Sequence, residues 1–224
     1  MRRLCRVDCT WTPELAYVIG IITSDGNLSP DGRHISITSK DKALLQQVRA
    51  VLNLNNVIGT KSRGTLPSRM YFVFQFGDIN FYEFLLSLGL TPAKSKTLEP
   101  LDIPPSLFSD FLRGCIDGDG SIGSSSHPES KHPQIKLRLC SASPVFLQWI
   151  LSEVRMNYGV TGGSISRQDN KAVCTLSFGK RDALTILRHM YASEDAPSLQ
   201  RKRVVAKKLF QKYSTETLAE VAKW

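Results

Sequence analysis

Two Asp-Gly pairs, Asp25-Gly26 and Asp119-Gly120, each end an apolar segment and lie 94 positions apart in the chain. The segments before them are apolar enough to form buried helices, so each aspartate would sit at a helix C-terminus. The helix dipole disfavours an anion there, and two adjacent carboxylates repel each other unless a cation neutralises them. Their oxygens are the ligands that Mg²⁺ prefers. Such an ion can activate water for phosphodiester hydrolysis.

A glycine precedes each aspartate by five residues, Gly20 in the first segment and Gly114 in the second. Glycine inside a helix costs up to about 1 kcal/mol relative to alanine. That cost is explained if two backbones approach each other closely at these positions. We therefore expect the two helices to pack side by side through Gly20 and Gly114, which would bring Asp25 and Asp119 together.

Two other interpretations of these residues are possible. An Asp-Gly pair can simply end a helix, with the glycine in the left-handed conformation. The repetition of the pair and of its glycine offset favours the metal site instead. The segment DGDGS (residues 117–121) also invites comparison with an EF-hand. That comparison fails, because Ile122 and Pro128 stand where the loop needs glycine and glutamate.

The composition favours a polyanionic partner. Lys and Arg number 29 and Asp and Glu 20, which gives a net charge of +9 and a pI near 9.4. Nucleic acid is the commonest such partner, although solvated lysines alone could produce the same charge. Five scattered cysteines predict reduced thiols rather than disulfides or a four-cysteine zinc site. Without a membrane-length apolar run or a signal segment, we expect a cytoplasmic or organellar protein that is not secreted.

The elements that would position the two aspartates occur twice in the same order. Each copy predicts a capped apolar helix, a strand, a helix, a loop, a strand and a helix. Thr12 and Ser106 are the predicted caps of the first helices, and the loops 59–69 and 164–171 leave room for a further hairpin strand. Such self-similarity predicts an α+β protein of two half-domains, residues 1–100 and 101–224, with a linker at about 98–105.

The segments VIGIITSDG (Val18–Gly26) and LRGCIDGDG (Leu112–Gly120) resemble the two motif copies of single-chain LAGLIDADG homing endonucleases. The resemblance covers about residues 12–210. It implies two pseudo-symmetric αββαββα halves packed through paired motif helices, with antiparallel sheets forming a saddle for DNA. The first copy departs from the family pattern, since Thr23 stands where the second copy has Asp117.

The same resemblance implies the roles of individual residues. The metal site would comprise Asp25 and Asp119 with the adjoining Gly26 and Gly120, whereas Asp117 would point to another side of its helix. A basic residue near each scissile phosphate corresponds to Lys94 and Lys202. The competitors for that role are Lys96, Arg201 and Arg203, and the alternative is a solvated lysine beside a helix. The residues that would position water are Ser39, Ser141 and Lys40.

DNA contacts are expected from one face of the alternating strands and from their loops. Arginine there can read guanine and glutamine can read adenine, whereas other cations would hold phosphates. A solvated strand face is the alternative. The candidates are Arg33, Lys61, Arg63, Arg69 and Gln75 in the first half, and Lys131, Gln134, Lys136, Arg138, Arg167 and Lys171 in the second.

The function implied by the resemblance is a site-specific endonuclease that makes a double-strand break in a long, asymmetric DNA target. It would use Mg²⁺, leave short 3′ overhangs, and act as a monomer without a protein partner. The alternative is an intron-encoded RNA maturase on the same scaffold. A transcription regulator with an added helix-turn-helix domain is less expected, since about 14 residues follow Phe210.

Overall fold

A computed structural model describes residues 6–62, 70–125, 134–167 and 172–213. The first part of the chain follows the order αββαββα. Its elements are α1 (Pro13–Asp25), β1 (Gly26–Leu28), β2 (His34–Ser39), α2 (Lys42–Val51), β3 (Ile58–Ser62), β4 (Met70–Gly77) and α3 (Ile79–Ser87).

The second part repeats this order and adds one helix. Its elements are α4 (Phe108–Asp119), β5 (Gly120–Ser125), β6 (Gln134–Ser141), α5 (Pro144–Tyr158), β7 (Ser164–Arg167), β8 (Cys174–Phe178), α6 (Lys180–Met190) and α7 (Gln200–Lys212). The predicted α+β fold of two αββαββα halves is therefore confirmed. The half-domain bounds and the linker remain predictions, although Leu98 and Leu101 in the linker are buried.

The strands form two antiparallel sheets with the same topology, β1-β2-β4-β3 and β5-β6-β8-β7. Alternation along each strand sends one set of side chains into the core and the other set to an open face. In the first sheet Ile35, Ile37 and Phe74 are buried, and in the second Leu137 and Leu176 are buried. Helices cover the inner faces, so the open faces carry the polar residues.

Helices α1 and α4 make the most extensive contact between any two described elements. They cross at the two glycines. A Cβ atom added to Gly20 would lie 2.2 Å from the carbonyl oxygen of Phe111, and one added to Gly114 would lie 2.1 Å from that of Tyr17. The backbones therefore touch, and the two C-termini end side by side.

The starts of these helices differ. Thr12 caps α1 as predicted, because its hydroxyl accepts the N–H of Leu15 at 3.1 Å. The predicted cap Ser106 is wrong. Ser106 lies within a 3₁₀ turn (Pro105–Leu107), and α4 begins after Leu107 without a side-chain cap. The turn supplies the backbone geometry for entering the helix, so the cap is not used.

Several strands lie in segments that the sequence indicates as loops. β3 begins one residue before the predicted loop 59–69 and β7 lies in the predicted loop 164–171, and these are the hairpin strands for which the loops leave room. β5 falls in the polar segment after α4. Each pairs with only one neighbouring strand. Such edge strands need little apolar patterning, because the adjacent strand supplies their hydrogen bonds. Among the described helices, none is long and apolar enough to cross a membrane.

Candidate active site

The carboxylates of Asp25 and Asp119 end the two packed helices. Asp25 is half-buried and Asp119 is exposed. Burial and the negative charge of Asp119 raise the pKa of Asp25 to about 6, against the opposing effect of Lys202 and Lys94. Desolvation also raises the pKa of Asp119, and the same two lysines act in the opposite direction. The pair is therefore a site of mutually repelling carboxylates beside two cations.

This donor set fits a hard divalent cation. The two side chains supply carboxylate oxygens, and their mutual repulsion would be relieved by a shared positive ion. No group of three or more His, Cys, Asp or Glu side chains suitable for a metal occurs among the described residues. A cation held here would consequently take its remaining ligands from water or from a bound substrate.

Lys94 and Lys202 are both buried, with exposed fractions of 6% and 4%. The ammonium of Lys202 donates to the carbonyl oxygens of Ile116, Asp117 (2.9 Å) and Gly120 (2.8 Å), and that of Lys94 donates to Gly26. Each lysine therefore caps the C-terminal end of a motif helix. Burial lowers the pKa of both to about 8, although the nearby carboxylates oppose this shift.

These contacts exclude the alternative of a solvated lysine beside a helix. The competing cations differ in position. Lys96 and Arg201 are exposed, whereas Arg203 is buried and donates to Ser198 Oγ at 2.6 Å and to the Ser193 carbonyl at 3.0 Å. Lys94 and Lys202 are thus the two buried lysines beside the carboxylate pair.

The glycines after the aspartates begin the first strand of each half. The carbonyl oxygen of Gly26 accepts the Lys94 ammonium and that of Gly120 accepts the Lys202 ammonium. The assignment of Gly26 and Gly120 to the metal site beside the two aspartates remains a prediction.

Of the three residues predicted to position water, Ser39 and Ser141 are the last residues of β2 and β6, and Lys40 follows β2. The hydroxyls of Ser39 and Ser141 accept the N–H groups of Asp41 and Ser143, both at 3.1 Å. Ser39 and Lys40 line the same cleft as Asp25. Their role in orienting water remains a prediction, and the shared backbone contact shows that the two serines occupy equivalent places.

The cleft beside Asp25 has a volume of about 700 Å³ and is lined by both halves of the chain. Lys42 and Tyr71 come from the first half and Arg201 from the second. Sequence reasoning missed Lys42 and Tyr71, and it considered Arg201 only as a competitor for Lys202. The sequence could have indicated Lys42, because this residue lies two positions after Lys40 and begins α2.

Asp117 is buried and faces away from the carboxylate pair into a polar network. Its Oδ2 accepts the Tyr17 hydroxyl at 3.0 Å and the N–H of Leu199 at 2.6 Å. Arg113, which sequence reasoning missed, donates to the carbonyl oxygens of Met190 (2.6 Å) and Pro197 (2.9 Å). These contacts fasten the segment before α7 and so place Lys202.

The open faces of the sheets carry most of the predicted DNA-contact residues that the structure describes. In the first sheet, the register pairs Lys61 with Tyr71 and Ser36 with Gln75 on this face. In the second, Gln134, Lys136 and Arg138 alternate with buried residues. Lys136 and Arg138 line a groove of about 620 Å³ with Ser and Thr side chains.

Two of the predicted contacts lie elsewhere. Arg167 pairs with the buried Cys174 in the register, so it belongs to the opposite face from Lys136 and Arg138. DNA contacts are expected from the loops as well as from one strand face, so the contact of Arg167 with DNA remains a prediction. Arg33 is exposed and precedes β2, outside the strand. Arg63, Arg69, Lys131 and Lys171 lie outside the described residues.

Comparison with known proteins identifies the motif region and the fold. Residues 12–89 match the family described as the LAGLIDADG-like domain. No curated protein sequence matches the chain. Solved structures match at low identity, which makes them informative about the fold alone.

Three of the matching structures illustrate the range. The I-LtrWI LAGLIDADG homing endonuclease bound to target DNA is 14% identical over 94% of this chain and 95% of its own, with a TM-score of 0.58. Variants of the homing endonuclease I-DmoI are 16% identical over 87% and 97%, with a TM-score of 0.57. Full-length DUF199/WhiA from Thermatoga maritima is 16% identical over 90% of this chain, with a TM-score of 0.54.

The chain spans about 61% of the length of full-length DUF199/WhiA. It spans nearly all of the two homing endonuclease chains. The two packed helices and the two four-stranded sheets agree with these similarities in fold. The chain thus carries a LAGLIDADG-like domain over residues 12–89 and has the two-domain LAGLIDADG fold.

Proposed function

We propose that this protein is a site-specific DNA endonuclease that cuts both strands of a long, asymmetric target. The observation that carries the proposal is the pair of carboxylates, Asp25 and Asp119, with a buried lysine beside each. A cluster of two acids and two cations at the junction of two basic sheets suits a reaction on a phosphodiester. A protein that only bound DNA would not need a repelling carboxylate pair.

Asp25 and Asp119 would hold the divalent cation, for which Mg²⁺ is the default. When bound, such an ion supplies charge stabilisation and an activated water. Crystal structures of I-DmoI with DNA and Mn support divalent-cation use on this fold. Lys94 and Lys202 donate to backbone carbonyl oxygens at the ends of the motif helices, and their charges offset the negative ends of the helix dipoles beside the two aspartates.

The open sheet faces would bind the DNA. Lys136 and Arg138 lie two residues apart on β6 and project to one face, as Lys61 and Gln75 do in the other sheet. The net charge of +9 favours association with a polyanion, with an affinity that falls as salt rises. The I-LtrWI structure contains target DNA, which supports the same use of the fold here.

A monomer acting on an asymmetric site follows from the two unlike halves in one chain. Each half supplies one aspartate and one lysine, so both strands can be cut without a second copy. The faces of the two sheets carry different side chains, which would read different half-sites. Short 3′ overhangs are the products that the resemblance to LAGLIDADG homing endonucleases implies.

The test is cleavage of a randomised double-stranded DNA library by purified protein in Mg²⁺ and in EDTA. We expect Mg²⁺-dependent cuts at one enriched long sequence, lost in Asp25→Asn and in Asp119→Asn. Asp102→Asn is the matched control, since Asp102 is an exposed carboxylate outside the site. Each site variant should lower cleavage about 10²-fold or more, as removal of a group that acts in the transition state does.

Tight DNA binding without any cut would contradict the nuclease proposal. The RNA maturase alternative would then be tested by splicing of intron RNA with the same protein. Cleavage that persists in both aspartate variants would equally overturn the assignment of the metal site. A footprint on DNA that is unchanged in the variants would show that their loss of cutting is not a loss of binding.

A further inference from the structure

The connections that lead from the third helix of each half to its buried lysine differ in length. Residues 88–93 separate α3 from Lys94 in the first half. Residues 191–201 separate α6 from Lys202 in the second half. A longer connection has more conformations to suppress, so its lysine needs more contacts to occupy one place.

The shorter connection is held by its own backbone. The N–H of Leu90 donates to the Leu85 carbonyl at 3.0 Å, which turns the chain at the end of α3. Ala93 has the left-handed conformation, with a φ of 58°, directly before Lys94. Local turns of the backbone therefore place Lys94.

The longer connection is held by charged side chains that contact it from the protein interior. We call residues 191–199 the strap. Arg203 is buried, and its guanidinium lies 5.3 Å from the centre of the Tyr191 ring and donates to three oxygens of the strap. The three acceptors are Ser198 Oγ at 2.6 Å, the Ser193 carbonyl at 3.0 Å and the Ala196 carbonyl.

Helix α4 contributes two further contacts to the strap. Arg113 donates to the Pro197 carbonyl, and Asp117 accepts the N–H of Leu199. The strap is thus fixed to α4 on one side and to the first turn of α7 on the other. Because α4 ends at Asp119, these contacts tie the position of α7 to the carboxylate pair.

Arg203 and Lys202 are neighbours in the first turn of α7 and bind different partners. Successive side chains leave a helix about 100° apart. Lys202 donates to carbonyl oxygens at the end of α4, including that of Gly120 at 2.8 Å, whereas Arg203 binds the strap. The contacts of Arg203 therefore fix the rotation of this turn of α7 and, with it, the direction in which Lys202 points.

In the described part of the chain, the hydrogen-bond acceptors of Arg203 are two carbonyls and a hydroxyl, none of which is charged. A buried guanidinium with neutral partners keeps much of its desolvation cost, and an apolar side chain would avoid that cost. The arginine supplies what an apolar side chain lacks, namely several directed hydrogen bonds from one rigid group. This combination indicates a role in geometry rather than in net stability.

We propose that Arg203 is a positioning residue, which holds Lys202 in place for cleavage by clamping the strap. The effect on cleavage rests on the proposed endonuclease function, whereas the placement of Lys202 is measurable without any cleavage. Loss of the clamp frees the first turn of α7 to shift, so that the Lys202 ammonium leaves the end of α4. A displacement of about 1 Å at a group that acts in a reaction can cost about 10²-fold in rate.

The first experiment measures the accessibility of Lys202 without DNA or metal. The protein is treated briefly with acetic anhydride, and acetylation of each lysine is followed by mass spectrometry. Lys202 is buried and should react at least about tenfold more slowly than the exposed Lys208. Arg203→Met should remove this protection. Arg155→Met is the matched control and should retain it, because Arg155 holds another loop of the same half through the Gly162 carbonyl.

The second experiment measures cleavage under single-turnover conditions in Mg²⁺, on a duplex selected by binding from a randomised library. Arg203→Met should slow cleavage about tenfold and leave the dissociation constant in EDTA within about twofold. In a protein that already carries Lys202→Met, adding Arg203→Met should slow cleavage no further, because the arginine acts through that lysine. A general loss of structure would slow cleavage in both backgrounds, and Arg155→Met should slow it in neither.

A milder variant serves if Arg203→Met fails to fold, which far-UV circular dichroism would reveal. Ser198→Ala removes one acceptor of the guanidinium and leaves the two carbonyl acceptors in place. It should raise the acetylation rate of Lys202 and slow cleavage, by a smaller factor than the loss of the whole clamp. The slowing should again be absent when Lys202 has been replaced by methionine.

The possible failures are distinct. Unchanged protection of Lys202 in both clamp variants, or further slowing of the double variant, would overturn the positioning role and leave the endonuclease standing. Lost protection with an unchanged cleavage rate would also overturn it. Lost protection together with no cleavage by the unmodified protein would overturn the endonuclease and support the placement of Lys202 by Arg203.

Discussion

The two halves of the molecule follow the same path, but the second anchors its lysine more firmly than the first. Lys202 lies in α7 and donates to three carbonyl oxygens, whereas Lys94 lies in a 3₁₀ turn (Lys94–Lys96) and donates to Gly26. The difference begins in the motif itself. Asp117 binds the segment before α7, while the hydroxyl of Thr23 donates to Ile19 within its own helix at 2.8 Å.

Some features of the site therefore occur in both halves, whereas others occur in one half only. The glycines at the helix crossing, the helix-end aspartates and the capping lysines are paired. The contacts that hold the two lysines in place, and the charged side chains around the two aspartates, differ between the halves. A repeated order of elements therefore places the chemistry twice, while the surroundings of each copy differ in strength and charge.

Substitution of either paired glycine should give the largest loss of stability, and the two losses should be similar. Gly20→Ala or Gly114→Ala places a Cβ within about 2 Å of a backbone oxygen, so the helices must separate. We expect each to lower the free energy of unfolding by about 3 kcal/mol or more. Urea unfolding measures this, with Gly123→Ala as control because no atom lies within 4 Å of its added Cβ. A loss of stability in only one of the two variants would contradict the equivalence of Gly20 and Gly114 at the helix crossing.

Asp117 and Thr23 should differ clearly in their contribution to stability. Asp117→Ala leaves the buried N–H of Leu199 and the hydroxyl of Tyr17 without an acceptor, which costs about 2 kcal/mol. Thr23→Ala removes a bond within one helix and should cost less than about 1 kcal/mol. Urea midpoints at unchanged m-value measure both. Equal losses would contradict the anchoring role, and Asp117→Asn, which keeps an acceptor oxygen, should lose less than Asp117→Ala.

The aspartates should make divalent-cation binding sensitive to mild acid. With its pKa raised to about 6, Asp25 is protonated below that pH and must release the proton to bind a cation. Apparent affinity should therefore fall about tenfold for each pH unit below 6 and level off above it. Calorimetric titration with Mn²⁺ between pH 5 and 7.5 checks this. In the protein without added cation, Asp119→Asn removes the neighbouring charge and should move the ionisation midpoint of Asp25 downward. An unchanged midpoint would show that the two carboxylates are not coupled.

The smallest effect is expected from the cations on the open sheet faces. Lys136→Ala and Lys61→Ala should each reduce the slope of log affinity against log salt by about one, if each holds one phosphate. Fluorescence anisotropy with a labelled duplex over a salt series measures the slopes. Arg167→Ala should leave the slope unchanged, since the register assigns Arg167 to the other face. A change for Arg167 alone would contradict that assignment of faces.

Much of the fold was predictable because its signals are local. The apolar segments before Asp25 and Asp119 and the alternation in β6 indicate elements without reference to the rest of the chain. Edge strands were less predictable, since β3 and β7 are short, carry few apolar residues and pair with a strand on one side only. The cap at Ser106 failed because a 3₁₀ turn begins α4 instead.

By itself the sequence determined the twofold order of elements, the glycine and aspartate pairs and the positive charge. These depend on residue type and on spacing along one helix or strand. Only the tertiary structure decided that Lys94 and Lys202 cap the motif helices. It also decided that Arg201 lines a cleft beside Asp25 of the other half, and that Arg167 lies on the face opposite to Lys136 and Arg138. Each of these depends on strand register or on contact between residues far apart in the chain, which local spacing does not specify.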